Sequence, residues 1–268
     1  VIRLLGEQGF MGVNVPPELG GSGMDYLSYA LIIEEISRGC ASTGVIVSVN
    51  NSLTLSPLLK FGSEEQKQKW IPPLAKGEKL GCFSLSEPFA GSDAGTIKCS
   101  AVRDGDHYVI NGVKNWVTNG AQADKVILFA TEDPEKRHKG ISCFIVERGA
   151  EGFTVGKNEN KLGILGTSTT ELIFENCRIP VDQRIGEAGE GFKIAMHTLD
   201  GGRLGIAAQA VGIARAAYAK SMKYALERET MGKKIAAHQA TQLKFADMLT
   251  RIESSQAILY NACQLKDS

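Results

Sequence analysis

From Phe192 to about Arg228 the chain runs through Ala, Leu, Ile and Met without a single proline. Such residues lose little freedom in a helix, and only proline would delete a helical hydrogen bond outright. The stretch predicts one very long helix, or two helices broken at Gly201-Gly202. A second helical pattern runs from Gln239 to the end, with Leu243, Ala246, Leu249 and Ile252 on one stripe. Two such helices cannot cover each other's apolar surface, so they demand further partners.

The rest of the chain reads differently in its two parts. Up to about residue 80 it is helical: Tyr26, Ala30, Ile33 and Ile36 recur at three- to four-residue spacing and Gly39 ends the run. Ser63-Glu64-Glu65-Gln66 is a capping box that predicts a helix through Trp70, closed by Pro72-Pro73. From 81 to about 180 the period becomes two. His107 to Ile110 and Val113 to Trp116 flank Asn111-Gly112, which predicts a hairpin turn there, and Asp104-Gly105 marks another. Lys125 to Ala130, Ile141 to Val146 and Thr170 to Phe174 predict further strands.

The 30 basic and 30 acidic residues cancel, so no global field favours nucleic acid or an anionic membrane. The longest apolar runs are too short to span a bilayer. Six cysteines form no CxxC and no cluster with the four histidines, which argues against a zinc site or a disulfide framework and for mostly buried, reduced thiols.

Three segments carry chemistry. Phe83-Ser84-Leu85-Ser86-Glu87-Pro88-Phe89-Ala90-Gly91-Ser92-Asp93 is a strand edge opening into a loop of hydroxyls and exposed N–H groups, suited to a polar heterocycle and a diphosphate. Trp116-Val117-Thr118-Asn119 and Leu199-Asp200-Gly201-Gly202-Arg203 follow, and then Arg228. Adjacent glycines inside a helix cost about 1 kcal/mol each relative to Ala, so close approach of a ligand is the expected reason for Gly201-Gly202. Gly186 to Gly191 lies outside any βαβ unit and reads as a helix entry, not a phosphate loop.

In that order and at those separations the segments resemble the acyl-CoA dehydrogenase flavoprotein family. Glu35 to Gly44 and Ser48 to Leu53 resemble its short-chain members. The resemblance implies an α+β fold with a helical N-terminal domain (1–80), a central antiparallel β domain (81–185) and a C-terminal helical domain (186–268). It also implies that the chain is an internal portion of a longer protein. The implied activity is FAD-dependent α,β-dehydrogenation of short acyl-CoA thioesters to trans-2-enoyl-CoA. Electrons would pass to an electron-transferring flavoprotein, and the assembly would be a homotetramer. The compartment would be the mitochondrial matrix in a eukaryote or the cytoplasm in a bacterium.

By the same resemblance Phe83, Leu85, Ser86, Gly91, Ser92, Trp116, Val117 and Thr118 contact FAD. Arg228 and Gln239 reach the FAD of a neighbouring subunit. Ser92, Asp200, Gly201, Gly202 and Arg203 touch the acyl-CoA. Hydroxyls suit a flavin edge because they donate or accept as its redox state changes. Relatives carry the catalytic glutamate either at the place of Gly202 or on a later segment, so the base is expected beyond Ser268. Three positions depart from the family pattern: Phe89 for Gly, Leu165 for Arg and Met231 for Phe. An acyl-CoA oxidase-like enzyme and a non-catalytic acyl-CoA-binding homologue are the competing readings.

Overall fold

A computed structural model describes every residue from Val1 to Ser268. In chain order the helices are α1 (Ile2–Glu7), α2 (Tyr26–Gly39), α3 (Ala41–Ser48), α4 (Ser56–Phe61), α5 (Glu64–Ala75), α6 (Gly191–Glu227) and α7 (Gln239–Asp267). Between α5 and α6 lie β1 (Gly81–Ser84), β2 (Ser100–Asp104), β3 (His107–Thr118), β4 (Lys125–Thr131), β5 (Ile141–Glu147), β6 (Phe153–Asn158), β7 (Thr169–Pro180) and β8 (Arg184–Ile185). A short pair, β9 (Glu229–Thr230) and β10 (Lys233–Lys234), joins α6 to α7. The helix–strand–helix order is the expected one, and no helix is long and apolar enough to cross a membrane. Contacts divide the chain into two compact units, residues 1–24 with 46–203 and residues 25–45 with 204–268.

The first unit is built on an eight-stranded sheet of order β6-β7-β3-β2-β4-β5-β8, with β1 also paired to β4. Most pairings are antiparallel as expected, but β4 runs parallel to β1 and meets β2 in a parallel contact at Ser100 and Thr131. Parallel neighbours need a long crossover, here the whole excursion through β2 and β3. Both sheet faces are covered around β4. Ile127 and Phe129 enter a core with Leu58, Ile71 and Leu74 from the helices, whereas Val126, Leu128 and Ala130 enter a second core with Tyr108, Phe144 and Phe174. Two-sided burial explains why β4 and β5 are continuous apolar runs instead of alternating ones.

Two local expectations are corrected. Asn111-Gly112 is not a turn: β3 passes straight through it. The register against β7 shifts between Ile110 and Gly112, and a Cβ at 112 would stand 2.7 Å from Cys99 Cα. Glycine is there for a bulge and a close backbone approach, not for a hairpin. The hairpin turn is Gly105-Asp106, with Gly105 at φ 63° and Asp104 paired to His107. The capping box at Ser63 forms as expected, but α5 continues through Pro72-Pro73 to Ala75. Proline's φ is helix-compatible, and the carbonyls of Pro72 and Pro73 still accept bonds from Lys76, Glu78 and Lys79.

α6 is one uninterrupted helix of 37 residues; Gly201-Gly202 does not break it. The expected stripe on α7 is also corrected. Phe245, Ile252, Leu259 and Cys263 are buried, whereas Leu243 is 65% and Leu249 40% exposed. Phe245, Ile252 and Leu259 repeat every seven residues and Cys263 follows four later, a coiled-coil spacing, so of the expected stripe only Ile252 lies on the buried face. Within the second unit the Glu34 carboxylate of α2 accepts from Arg215 of α6 and from Gln256 (2.8 Å) and Tyr260 (2.9 Å) of α7. Of the six cysteines only Cys40 is exposed.

Candidate functional site

β1 ends at Ser84 and delivers Leu85 and Ser86 to a tight turn in which the main chains of Glu87 and Ala90 bond to each other in both directions, at 3.0 and 3.2 Å. Pro88 presets the first corner. Phe89 has no positive φ, so the turn needs no glycine there and the Phe side chain is left 90% exposed. β3 carries a second bulge, between Lys114 and Val117. Trp116 sits on it at φ 61°, a left-handed conformation that costs a non-glycine residue on the order of 1–3 kcal/mol. The bulge sends Trp116 outward, 61% exposed, and turns Val117 into the sheet core.

These two pieces of backbone face one cavity of about 400 Å³. Its lining includes Phe83, Leu85, Ser86, Gly91, Ser92, Trp116, Thr118 and Arg203, all of them expected site residues, together with Val49, Leu53, Ala94, Asn115, Met196 and Leu199. The hydroxyls of Ser86 and Thr118 make no hydrogen bond within the chain, so both stay available to a ligand. A Cβ at Gly91 would meet nothing within 4 Å, which leaves its main chain open to close approach. No Asp or Glu lines the cavity.

A second cavity of about 480 Å³ shares Ser92, Ala94 and Met196 with the first and is otherwise lined by Asp93, Gly95, Arg137, His138 and Phe192. Ser92 therefore stands where the two meet. Arg137 is held at φ 50°, ψ −127°, and the His138 ring packs 5.5 Å from Phe192.

The remaining site residues are placed less directly. Val117 is 1% exposed and offers a ligand only its main chain. Asp200 is exposed and paired to Arg203, an i,i+3 surface ion pair worth under about 1 kcal/mol. The space above Gly202 is not left for a ligand: a Cβ there would stand 2.8 Å from Leu53 Cδ2. That glycine makes room for a cavity-lining leucine, which corrects the expected reason for Gly202. Arg228 and Gln239 belong to the second unit, are exposed, and have no side-chain partner within the chain.

Reading the sequence missed what holds the walls together. Lys114 is 0% exposed, and its Nζ donates to Leu85 O at 2.9 Å and Glu87 Oε1 at 2.8 Å. Glu87, 8% exposed, also accepts from the main-chain N–H of Lys98 at 2.7 Å and of Cys99 at 2.9 Å. Burial pulls the Lys114 ammonium below the usual lysine range, against the neighbouring Glu87. Lys114 stands at the inward register of a strand whose other inward residues, Tyr108 and Ile110, are core, a register that the expected turn at Asn111-Gly112 concealed.

Three family descriptions match in succession: acyl-CoA dehydrogenase N-terminal domain over residues 1–78, middle domain over 82–177 and C-terminal domain over 189–268. The mitochondrial short-chain specific acyl-CoA dehydrogenase of Rattus norvegicus is 52% identical over 267 residues, covering 100% of this chain and 65% of that protein. The chain thus spans just under two thirds of that relative's length. Butyryl-CoA dehydrogenase from Megasphaera elsdenii superposes with a TM-score of 0.97 at 43% identity, over 99% of this chain and 70% of that one. A chain in a structure of the electron transferring flavoprotein of Acidaminococcus fermentans superposes with a TM-score of 0.98 at 48% identity, again over 99% and 70%. By consecutive domain matches and by identity along its whole length, this chain belongs to the acyl-CoA dehydrogenase family.

Proposed function

We propose that these residues are the larger part of an FAD-dependent dehydrogenase of short acyl-CoA thioesters. The observation that carries the reading is the convergence of two unpartnered hydroxyls, Ser86 and Thr118, and the outward Trp116 on one carboxylate-free cavity. Those groups fit a flavin ring: hydroxyls for its polar edge, an indole for its face, and the open backbone at Gly91 for a close-lying ligand. When bound, FAD supplies a hydride acceptor for the substrate's β-carbon.

The chain's own residues do the rest of the positioning. Phe83, Leu85, Met196 and Leu199 give the cavity an apolar lining that excludes water and strengthens electrostatics at the thioester. Ser92 meets the polar arm of the thiol carrier, which continues past it into the second cavity toward Arg137 and His138. Arg203 stands at the cavity lining and is held by Asp200. The α-proton requires a general base. Position 202 is glycine and the cavity has no carboxylate, so the base comes from outside these residues. Arg228 and Gln239 serve the FAD of a neighbouring protomer in a homotetramer, a role supported by their exposure and lack of partners. The structural match to a chain from an electron transferring flavoprotein structure supports such a flavoprotein as electron acceptor.

The test uses the full-length protein. It should carry FAD, and butyryl-CoA should bleach the flavin under anaerobic conditions. Reoxidation should be fast with electron-transferring flavoprotein and slow in air; fast reoxidation by oxygen would instead mark an oxidase. Arg228→Ala should weaken FAD retention by about 10- to 100-fold, the worth of a charge-assisted bond of about 1.5–3 kcal/mol. A folded full-length protein that neither holds FAD nor bleaches with any acyl-CoA would overturn the reading.

A further inference from the structure

We propose that the buried Lys114–Glu87 pair is a positioning device for the cofactor cavity, holding the Ser86 loop against the Trp116 bulge. The inference rests on the FAD reading above. Two of the elements that line the cavity depend on the rest of the chain for their backbone path. Trp116 occupies a left-handed conformation at a register shift, and the Leu85–Gly91 loop follows a strand of only four residues. A strained conformation persists only where its surroundings over-determine it.

The surroundings do so through three adjacent ties. The main-chain N–H of Asn115 donates to Ser86 O at 2.9 Å. Lys114 Nζ reaches the next residue back, Leu85 O, at 2.9 Å and the next residue on, Glu87 Oε1, at 2.8 Å. Residues 85, 86 and 87 are thereby each fastened to residue 114 or 115. Glu87 then anchors the far side through the main-chain N–H groups of Lys98 and Cys99. A buried ammonium and a buried carboxylate are costly to desolvate, and well-packed apolar residues would serve stability as well or better. The charges supply direction instead. One ammonium with three donors, fixed between two acceptors on the loop, sets where Ser86 Oγ stands relative to Trp116 and Thr118. Neither side chain is among the cavity's lining residues, so both act through the residues they hold.

The test is Lys114→Met in the full-length protein, which keeps length and volume and removes the charge. FAD dissociation and the visible spectrum of bound flavin are read on the holoenzyme. Iodide quenching of tryptophan is read on flavin-stripped protein, with Trp116→Phe as the control that defines Trp116's share. The expected result is at least a tenfold rise in the FAD dissociation constant, a changed flavin band shape, and a smaller Trp116 share of the quenching. A pair that serves stability alone would lower the melting temperature and leave all three unchanged in the folded protein; that outcome overturns the inference. If Lys114→Met does not fold, Glu87→Gln decides by the same readings. It keeps the side chain's shape but sets an amide N–H against donors on one side. If the wild-type protein holds no FAD, the function reading fails by itself, and the quenching arm still decides whether the pair positions Trp116.

Discussion

The molecule buries two glutamates, one in each unit, and satisfies them in opposite ways. Glu87 is met by one side chain and two main-chain N–H groups, and its lysine also grips the carbonyl of Leu85. Glu34 is met by side chains alone, from Arg215 on α6 and from Gln256 and Tyr260 on α7. The first arrangement fixes a path of backbone. The second fixes how three helices are rotated about their axes, because each partner must present one particular face. A buried carboxylate thus shapes a ligand cavity in one place and selects a packing register in the other. Which task it performs depends on whether its donors are main chain or side chain.

The largest test of the contrast is catalytic. Both buried carboxylates are fully engaged, and neither is among the groups that line the cavity. If that engagement is their whole role, the 268 residues supplied with FAD and butyryl-CoA should turn over slower than the full-length enzyme by at least about 10²–10⁴, the usual contribution of a positioned general base. Dye-coupled turnover near the full-length rate would mean that a carboxylate within these residues takes the α-proton. In a full-length protein lacking its own base, Gly202→Glu should restore part of the activity. Leu53 Cδ2 lies 2.8 Å from the added Cβ and must move aside, which it can as the end of a flexible side chain.

Next in size is the stability effect of Glu34. Glu34→Ala leaves Arg215 with only the exposed Glu35, 3.6 Å away, takes the acceptor from Gln256 and Tyr260, and should cost about 1–3 kcal/mol in urea unfolding. Glu87→Gln should cost less in unfolding and more in flavin affinity. Equal stability losses with no difference in flavin binding would erase the distinction. The pH dependence sharpens it further. Burial, with Glu34's bond second, pushes the Tyr260 phenol from 10.0 up to about 12. A raised folded value means that the native state keeps its proton after the unfolded chain has lost it. This stabilisation is therefore complete below pH 10 and lost as the pH rises toward 12. Buried Cys82, raised from 9.0 to about 12, adds a loss that begins lower. Glu34→Gln should shrink the part of the alkaline limb due to Tyr260 and leave the cysteine part in place.

Much of this was legible in the sequence, for identifiable reasons. The long α6 follows from composition, the Ser63 cap from a four-residue rule, and the cavity segments from motifs whose side chains are chemically committed. What was not legible depends on contacts distant in sequence. Asn111-Gly112 has the letters of a hairpin, and only the approach of Cys99 makes it a bulge. Leu243 and Leu249 lie on a good apolar stripe, yet Phe245, Ile252 and Leu259 are what the packing buries. Lys114 looks like an ordinary strand lysine until Glu87, 27 residues earlier, is seen beside it.

The smallest expected effect concerns Phe89, and its smallness is the point. Among relatives this position is expected to be glycine, which in a turn of this kind usually answers a need for positive φ. Here the turn closes through the paired main-chain bonds of Glu87 and Ala90, Phe89 keeps an ordinary φ, and its ring is 90% exposed. If the loop's path is set by Glu87 and Lys114, Phe89→Gly should change stability by no more than about 1 kcal/mol, mostly through the greater freedom of the unfolded chain. Flavin affinity and spectrum should not move. Thermal melting and flavin titration of the same full-length preparation measure both. A large change in flavin binding would place control of the cavity wall in the turn itself, and the buried pair would then be its consequence instead of its cause.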